Sequence, residues 1–136
     1  MTESDVSIRK LVKRFGTMTA VDGIDLAVPR GAFVTFLGPS GCGKTTALRA
    51  VAGFVHPSDG RIHIGGRTVS DSRRCTEPES RGVGVVFQDY ALFPHLDVAA
   101  NVAFGLRRLT PAERRARVAE MLELVGLPAI GERYRH

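Results

Sequence analysis

The sequence has no long apolar run, and none approaches the roughly 18 residues that a membrane-spanning helix needs. Its N-terminus, Met-Thr-Glu-Ser-Asp, has neither the basic start nor the apolar stretch of a secretion signal. The chain has two cysteines, Cys42 and Cys75, whose positions match no metal-binding spacing, so we expect a reducing compartment and no disulfide. These absences predict a cytoplasmic protein.

Aromatic residues are scarce, at 7% of the chain, and none is interleaved with the five arginines that crowd residues 107–117. The net charge of +5 could indicate a nucleic-acid surface, but without aromatic side chains to stack bases we expect no nucleic-acid partner. The histidines have no spacing that suggests a metal site. The crowded basic residues are better interpreted as one solvated helix face: Arg107, Arg108, Arg114, Arg115 and Arg117.

The composition is that of one soluble globular domain, since 43% of the 136 residues are hydrophobic and 24% are charged. Residues 38–45, Gly-Pro-Ser-Gly-Cys-Gly-Lys-Thr, match the phosphate-loop pattern G-x-x-x-x-G-K-T. Residues 32–37 before the loop form an apolar run that predicts a buried strand, and the residues after it predict a helix to about Ala52, stopped by Gly53. The order of strand, glycine loop and helix predicts phosphate binding, because the first N–H groups of a helix are unpaired donors at the positive end of its dipole.

Each residue type in the loop has a chemical reason. Glycines at 38, 41 and 43 let the main chain approach the phosphates, and the Lys44 ammonium reaches the β and γ phosphates as a mobile point charge. The Thr45 hydroxyl can ligate a bridging Mg²⁺ ion. Cys42 lies at the helix start, where a reactive thiol is favoured, although a merely small side chain at that position explains it equally well.

The remaining pattern predicts short strands in the first half and helices in the second. Thr110, Pro111 and Glu113 form a capping box with proline at the first helical position, and Gly126 and Pro128 stop the helix that follows. The other expected elements are strands at 6–12 and 24–28 with a turn at 13–16, a hairpin over 57–66, a loop over 70–82, a buried strand at 83–87, a helix from Asp97 to about Leu106, and a core-facing row of Val118, Met121, Leu122 and Val125.

With the phosphate loop and residues 87–96, Phe-Gln-Asp-Tyr-Ala-Leu-Phe-Pro-His-Leu, taken together, the chain resembles the nucleotide-binding subunit of an ABC transporter. It is most similar to the bacterial importer ATPases for sugars, polyamines, iron and oxyanions, and the likeness runs from about Val6 to His136. The resemblance implies an α/β fold, a P-loop NTPase core with an antiparallel β subdomain. It also implies a division into a β subdomain and P-loop core over about 1–88, and a glutamine loop with the start of a helical subdomain over about 89–136.

The same resemblance implies the ligands and the residues that bind them. Phe15 falls where the family has an aromatic residue that stacks on adenine, whereas by itself it reads equally well as a core residue. Gln88 matches the glutamine that coordinates Mg²⁺ and acts in catalysis, whereas by itself it reads as an amide capping a strand end. Mg²⁺ would be held by Thr45 and Gln88, and ATP by Phe15 together with Gly38, Pro39, Ser40, Gly41, Cys42, Gly43, Lys44, Thr45 and Thr46.

The partners that the resemblance implies are those of a transport complex. They are integral membrane permease subunits, a second ATP-binding subunit that forms a dimer, and, indirectly, a solute-binding protein outside the membrane. The protein would then couple ATP binding and hydrolysis to solute import while lying peripherally on the inner face of the cell membrane.

Two departures from the family pattern affect this expectation. Ala100 stands where a glutamate usually completes a capping box with Asp97, which costs about 0.5 to 1 kcal/mol of helix stability. The sequence also ends just before the expected signature Leu-Ser-Gly-Gly-Gln, so it reads as the N-terminal portion of the domain, with binding but little hydrolysis by these residues alone. The alternatives are an unrelated P-loop kinase, in which Asp89 would hold Mg²⁺, and a DNA-repair ATPase of the same superfamily.

Overall fold

The computed structural model of this chain describes residues 4–134. It divides into two compact units, Met1–Val85 and Val86–His136. Within residues 4–134, the first unit contains a β-sheet, one α-helix and a short 3₁₀ helix, and the second contains two α-helices and a short 3₁₀ helix. None of the helices described in these residues has both the length and the apolar character that crossing a bilayer requires.

An antiparallel sheet of four strands forms most of the first unit, in the spatial order β2-β1-β3-β4. The pairing of β1 with β2 continues to Phe15 opposite Met18, so the chain turns at Gly16 and Thr17. The expected turn at 13–16 is therefore wrong for residues 13–15, because they are still held in the β1–β2 ladder, and only Gly16 lies in the turn. The strands are β1 (Ser4–Phe15), β2 (Met18–Pro29), β3 (Asp59–Ile64) and β4 (Arg67–Ser70).

Helix α1 (Lys44–Ala52) packs on this sheet through small side chains. Ala47 and Ala50 are buried in one cluster with residues of all four strands: Ile8, Leu11, Val21, Ile62 and Val69. Alanine at the contact lets the helix backbone approach the sheet closely. The predicted stop at Gly53 is confirmed, since this residue is left-handed with φ 95° and its N–H donates to the carbonyl of Arg49 at 3.0 Å.

The predicted loop over 70–82 carries a buried arginine. Arg81 is 2% exposed, and its guanidinium donates to the carbonyl oxygens of Ala50 at 2.8 Å and Val51 at 2.9 Å, at the C-terminal end of α1. It also donates to the Thr76 carbonyl at 2.7 Å. A buried charge is therefore satisfied by the last carbonyl groups of a helix, where the helix dipole favours a cation.

The two predicted buried strands, 32–37 and 83–87, are wrong for the part of the chain that the structure describes. Both segments lie outside its sheet, and their side chains are largely exposed, at 95% for Phe33 and 96% for Val86. Phe36 and Val83 are half-buried, and Phe36 packs against the buried cluster. An apolar run becomes a buried strand only where neighbouring strands pair with it on its edges, and no described residue supplies that pairing here.

The second unit contains helices α2 (Val98–Ala103) and α3 (Pro111–Leu124). The Asp97 cap is confirmed, since its carboxylate accepts the Ala100 N–H at 2.7 Å, although α2 ends before the predicted Leu106. Both halves of the Thr110–Glu113 capping box are present. On the face expected to be buried, Val118 and Leu122 are buried, but Val125 follows the end of the helix and is 63% exposed.

Candidate phosphate-binding site

The glycine loop leads directly into the N-terminus of α1. The helix begins at Lys44 with Gly43 as its N-cap, and no side chain among the described residues caps this end. The first turn of α1 also contains no acidic residue. The first N–H groups of α1 thus present donors and the positive end of the dipole to an anion, without a carboxylate to compete for them.

Gly43 lets this loop lie against the sheet. It has φ 95°, and a Cβ atom there would collide with the carbonyl oxygen of Ala20 on β2. At the other end of the loop, a Cβ on Gly38 would lie 2.9 Å from the sulfur of Cys42. Any larger residue at Gly43 would push the helix start away from β2, so this glycine fixes the position of the loop on the strand.

The ammonium of Lys44 folds back over the loop. Its Nζ donates to the carbonyl oxygens of Gly38 at 2.6 Å and Pro39 at 2.7 Å, and lies 3.5 Å from the sulfur of Cys42. The positive charge is therefore held over the same loop that opens onto the helix N-terminus. An anion bound there would meet both the charge and the helix donors.

A cleft of about 490 Å³ adjoins the loop. Residues 42–44 of the loop and residues 19–22 of β2 lie along its sides. Ser40 and Thr45 are exposed and Thr46 is half-buried, so the hydroxyl-bearing residues assigned to ATP or Mg²⁺ remain accessible around the helix start. A cradle made of glycine backbone, an accessible hydroxyl and an ammonium suits a phosphate chain with its divalent cation.

Phe15 ends β1 and is not a core residue. Its side chain is 47% exposed, and the Lys13 ammonium lies 4.8 Å from the centroid of its ring. The interpretation of Phe15 as a core residue is therefore wrong. Its partner Met18 is two residues from Ala20, against which Gly43 packs, so one strand supports both the aromatic residue and the loop.

Gln88 belongs to the second unit, where it is exposed in a turn. Two residues that follow it, Tyr90 and Ala91, have positive φ angles of 59° and 48°, an unusual backbone for side chains of this kind. Coordination of Mg²⁺ by Gln88 stays a prediction.

Sequence reasoning missed Asn101, whose amide holds the segment that follows the glutamine. Its Nδ2 donates to the carbonyls of Phe93, Leu96 and Asp97, and its Oδ1 accepts the Phe93 N–H at 2.9 Å. Asparagine favours local backbone bonds over helix, so its presence within a short predicted helix was a signal of this role.

Comparison with known protein families agrees with a phosphate-binding loop at residues 38–45. A family model described as ABC transporter matches residues 21–135. The chain belongs to the ABC transporter family. An unrelated P-loop kinase, the alternative based on Asp89, is therefore excluded.

Two curated relatives of this ABC family member are similar over almost all of it. It is 47% identical, over 98% of its length, to the Fe(3+) ions import ATP-binding protein FbpC of Photorhabdus laumondii. It is 46% identical, over 96% of its length, to the spermidine/putrescine import ATP-binding protein PotA of Nitrosomonas eutropha. The chain spans 38% and 36% of the lengths of these two relatives.

Solved structures agree with the P-loop NTPase fold. The structure described as a dimeric post-hydrolysis state of the ATP-binding cassette MJ0796 bound to ADP and Pi matches with a TM-score of 0.80 at 26% identity, covering 95% of this chain and 61% of that one. The protein cbiO1 of Clostridium perfringens, part of the cbiONQ transporter complex, matches with a TM-score of 0.77 at 26% identity, covering 97% of this chain and 54% of that one. The chain thus has the α/β fold of these cassettes, with the antiparallel β subdomain included.

Proposed function

We propose that this chain binds Mg-ATP as part of the ATP-binding subunit of an ABC importer. The observation that carries the proposal is that the N-terminus of α1 has no side-chain cap and lies beside the Lys44 ammonium. The Nζ of Lys44 is 2.6 Å from the carbonyl oxygen of Gly38 in the loop. Loop residues 38–46 would surround the phosphates, and Phe15 would stack on adenine. The relatives named for iron and for polyamine import support this class of transporter.

Each group of the site has its own part in the proposed binding. Backbone N–H groups at the start of α1 donate to phosphate oxygens, and Lys44 exchanges its carbonyl partners for the β and γ phosphates. The hydroxyl of Thr45 and the amide oxygen of Gln88 would hold Mg²⁺, which neutralises charge between the phosphates. Gln88 would also transmit the state of the nucleotide to the membrane partner. We place the end of the β subdomain and P-loop core near residue 88.

The proposed role in transport depends on the proteins that such a subunit would bind. In this proposal the protein binds permease subunits at the inner face of the cell membrane and pairs with a second ATP-binding subunit. A solute-binding protein would supply the permease. The MJ0796 cassette, described as dimeric, supports the pairing. Hydrolysis by these 136 residues alone is expected to be slow, because family members activate water with residues outside this matched portion.

Substitution of Lys44 tests the binding step. Lys44→Ala is expected to weaken Mg-ATP binding about 10- to 100-fold, because a charge-assisted contact to phosphate is worth about 1.5 to 3 kcal/mol. Binding is measured by isothermal titration calorimetry, and phosphate release by the same sample reports turnover. Arg49→Ala is the matched control, since it removes one positive charge from the last turn of the same helix.

The control should bind Mg-ATP as the unsubstituted chain does. If Lys44→Ala and Arg49→Ala bind equally well, the loop is not the phosphate site. If the unsubstituted chain binds no Mg-ATP, the proposed function is wrong.

A further inference from the structure

Phe15 is held in place by the residue two positions before it. The Nζ of Lys13 lies 4.8 Å from the centroid of the Phe15 ring, within the range of a cation–π contact. The same Nζ donates to the carbonyl oxygen of His56 at 2.8 Å. One ammonium therefore touches both the aromatic ring and the segment that follows α1.

This end of β1 is bound firmly to that segment by two further contacts. The Ser58 N–H donates to the Val12 carbonyl at 2.8 Å, and the Ser58 hydroxyl accepts the Arg14 N–H at 3.0 Å. With the Lys13 contact, three hydrogen bonds join residues 12–14 to residues 56–58. The backbone beneath Phe15 is thus fixed relative to the C-terminal end of the helix whose N-terminus bears the phosphate loop.

The other end of α1 is bound to the same pair of strands. Gly43 packs on Ala20, and Ala20 is two residues along β2 from Met18, the partner of Phe15. Two residues of a strand span about 7 Å. The aromatic residue and the loop are therefore neighbours on one rigid support.

We propose that Lys13 is a positioning residue for the adenine ring, and this rests on the proposed function. Its ammonium covers one face of Phe15 and restrains the ring, which leaves the rest of the 47% exposed side chain for a planar base. A restrained ring loses less conformational freedom when a base stacks on it, so binding of the base is strengthened. The contribution of Lys13 is thus directed to the base and not to the phosphates.

The test separates the base from the phosphates by comparing two ligands, Mg-ATP and Mg-tripolyphosphate, with the 136-residue chain. Lys13→Met keeps the aliphatic stem but removes the charge. We expect it to weaken Mg-ATP binding about two- to fivefold, the size of an exposed cation–π contact, and to leave tripolyphosphate binding unchanged. In a Phe15→Leu background, which has no aromatic ring, the Lys13→Met substitution should have no further effect on Mg-ATP.

Lys10 is the matched control on the same strand. Its Nζ forms an ion pair with Asp25 at 2.9 Å and its side chain is 81% exposed. The hydrogen bond from Lys10 lowers the pKa of the Asp25 carboxyl, so this lysine is engaged away from the ring. Lys10→Met removes one positive charge from β1, as Lys13→Met does, and should bind both ligands as the unsubstituted chain does.

Three results would overturn the role of Lys13. The first is that Lys13→Met weakens the binding of both ligands equally, which is what a merely structural contact to His56 would give. The second is that Lys13→Met weakens the binding of neither ligand. The third is that Lys13→Met weakens Mg-ATP binding as much in the Phe15→Leu background as in the unsubstituted chain. If Lys13→Met and Phe15→Leu both leave Mg-ATP binding intact while Lys44→Ala weakens it, the phosphate site stands and the adenine contact does not. If the unsubstituted chain binds neither ligand, the proposed function fails and this role fails with it.

Discussion

Gly43 and Lys44 divide the work of the phosphate loop between backbone and side chain. Gly43 lies so close to the Ala20 carbonyl that no Cβ fits, which places the helix start against β2. Lys44 then supplies the charge, held over the loop by two carbonyl oxygens. Because one residue sets the position and the next supplies the electrostatics, a change at either should weaken phosphate binding for a different reason.

Cys42 directly precedes Gly43 in the same loop, and its exposure leads to a prediction. Its sulfur is exposed and 3.5 Å from the Lys44 ammonium, so a nucleotide in the loop would cover it. We expect Mg-ATP to slow the alkylation of Cys42 by iodoacetamide, measured by mass spectrometry of its peptide. Cys75 is the internal control, because its half-buried thiol accepts a hydrogen bond from Arg81 at 3.1 Å, in the loop over 70–82.

Alkylation of Cys75 should be the same with and without nucleotide. An alkylation rate of Cys42 that Mg-ATP fails to slow would place the thiol outside the nucleotide site and leave only the interpretation of a small residue in a tight loop.

Helix α1 is the element on which the site depends, and it is held at both ends. Gly43 places its N-terminus on β2, while the Arg81 guanidinium binds the carbonyls of Ala50 and Val51 at its C-terminus. Ala47 and Ala50 bury its middle against the sheet. Gly53 is needed beside this arginine, since a Cβ there would lie 2.6 Å from the Arg81 Nε.

Removal of Arg81 should destabilise this element strongly. Arg81→Met removes a donor from the carbonyls of Ala50, Val51 and Thr76, of which the contact with Ala50 is buried and the other two are partly buried. The expected cost is about 2 to 4 kcal/mol in the free energy of unfolding. Arg81→Lys should lose less, because it keeps the cation but not the planar fork. Urea denaturation followed by circular dichroism measures both.

Arg73→Met is the control for the arginine substitution, since Arg73 is exposed in the same loop and its loss should change the free energy of unfolding by less than about 0.5 kcal/mol. Equal denaturation midpoints for Arg81→Met and Arg73→Met would mean that the guanidinium contacts do not stabilise α1.

At the scale of the whole molecule, apolar surface remains uncovered in both units. Phe33 and Leu37 are 95% and 89% exposed in the first unit, and Val86 is 96% exposed in the second. Exposed apolar residues in unpaired extended segments favour association. The relatives are longer than this chain, which spans 38% of FbpC and 36% of PotA.

We therefore expect the 136-residue chain to self-associate at micromolar concentration. The double variant Phe33→Lys and Val86→Lys should associate less, because it introduces charge into each exposed segment; sedimentation velocity measures the change. The variant Thr17→Lys and Ser72→Lys adds the same charge at exposed positions that belong to neither segment. If the two double variants sediment alike, net charge and not the apolar segments governs association.

Local patterns were strong enough to predict much of this fold from the sequence. The phosphate loop, the stop at Gly53, the Asp97 cap and the Thr110–Glu113 capping box each depend on residues within a few positions of one another. The hydrogen bonds of such motifs are made by nearby backbone groups, so a short stretch of sequence is enough to indicate them. The family could likewise be recognised from the loop and residues 87–96 alone.

Only the tertiary structure decided which apolar runs are buried and which long-range contacts hold the site. Residues 32–37 and 83–87 have strand-like composition, but a strand also needs a neighbouring backbone, which composition does not specify. The partners of Lys13 and Arg81 lie tens of residues away, at His56 and at Ala50. The sequence by itself thus determined which chemical groups the loop carries. The packing of α1 on the sheet determined where those groups lie, because burial and hydrogen bonding across distant segments depend on the folded chain as a whole.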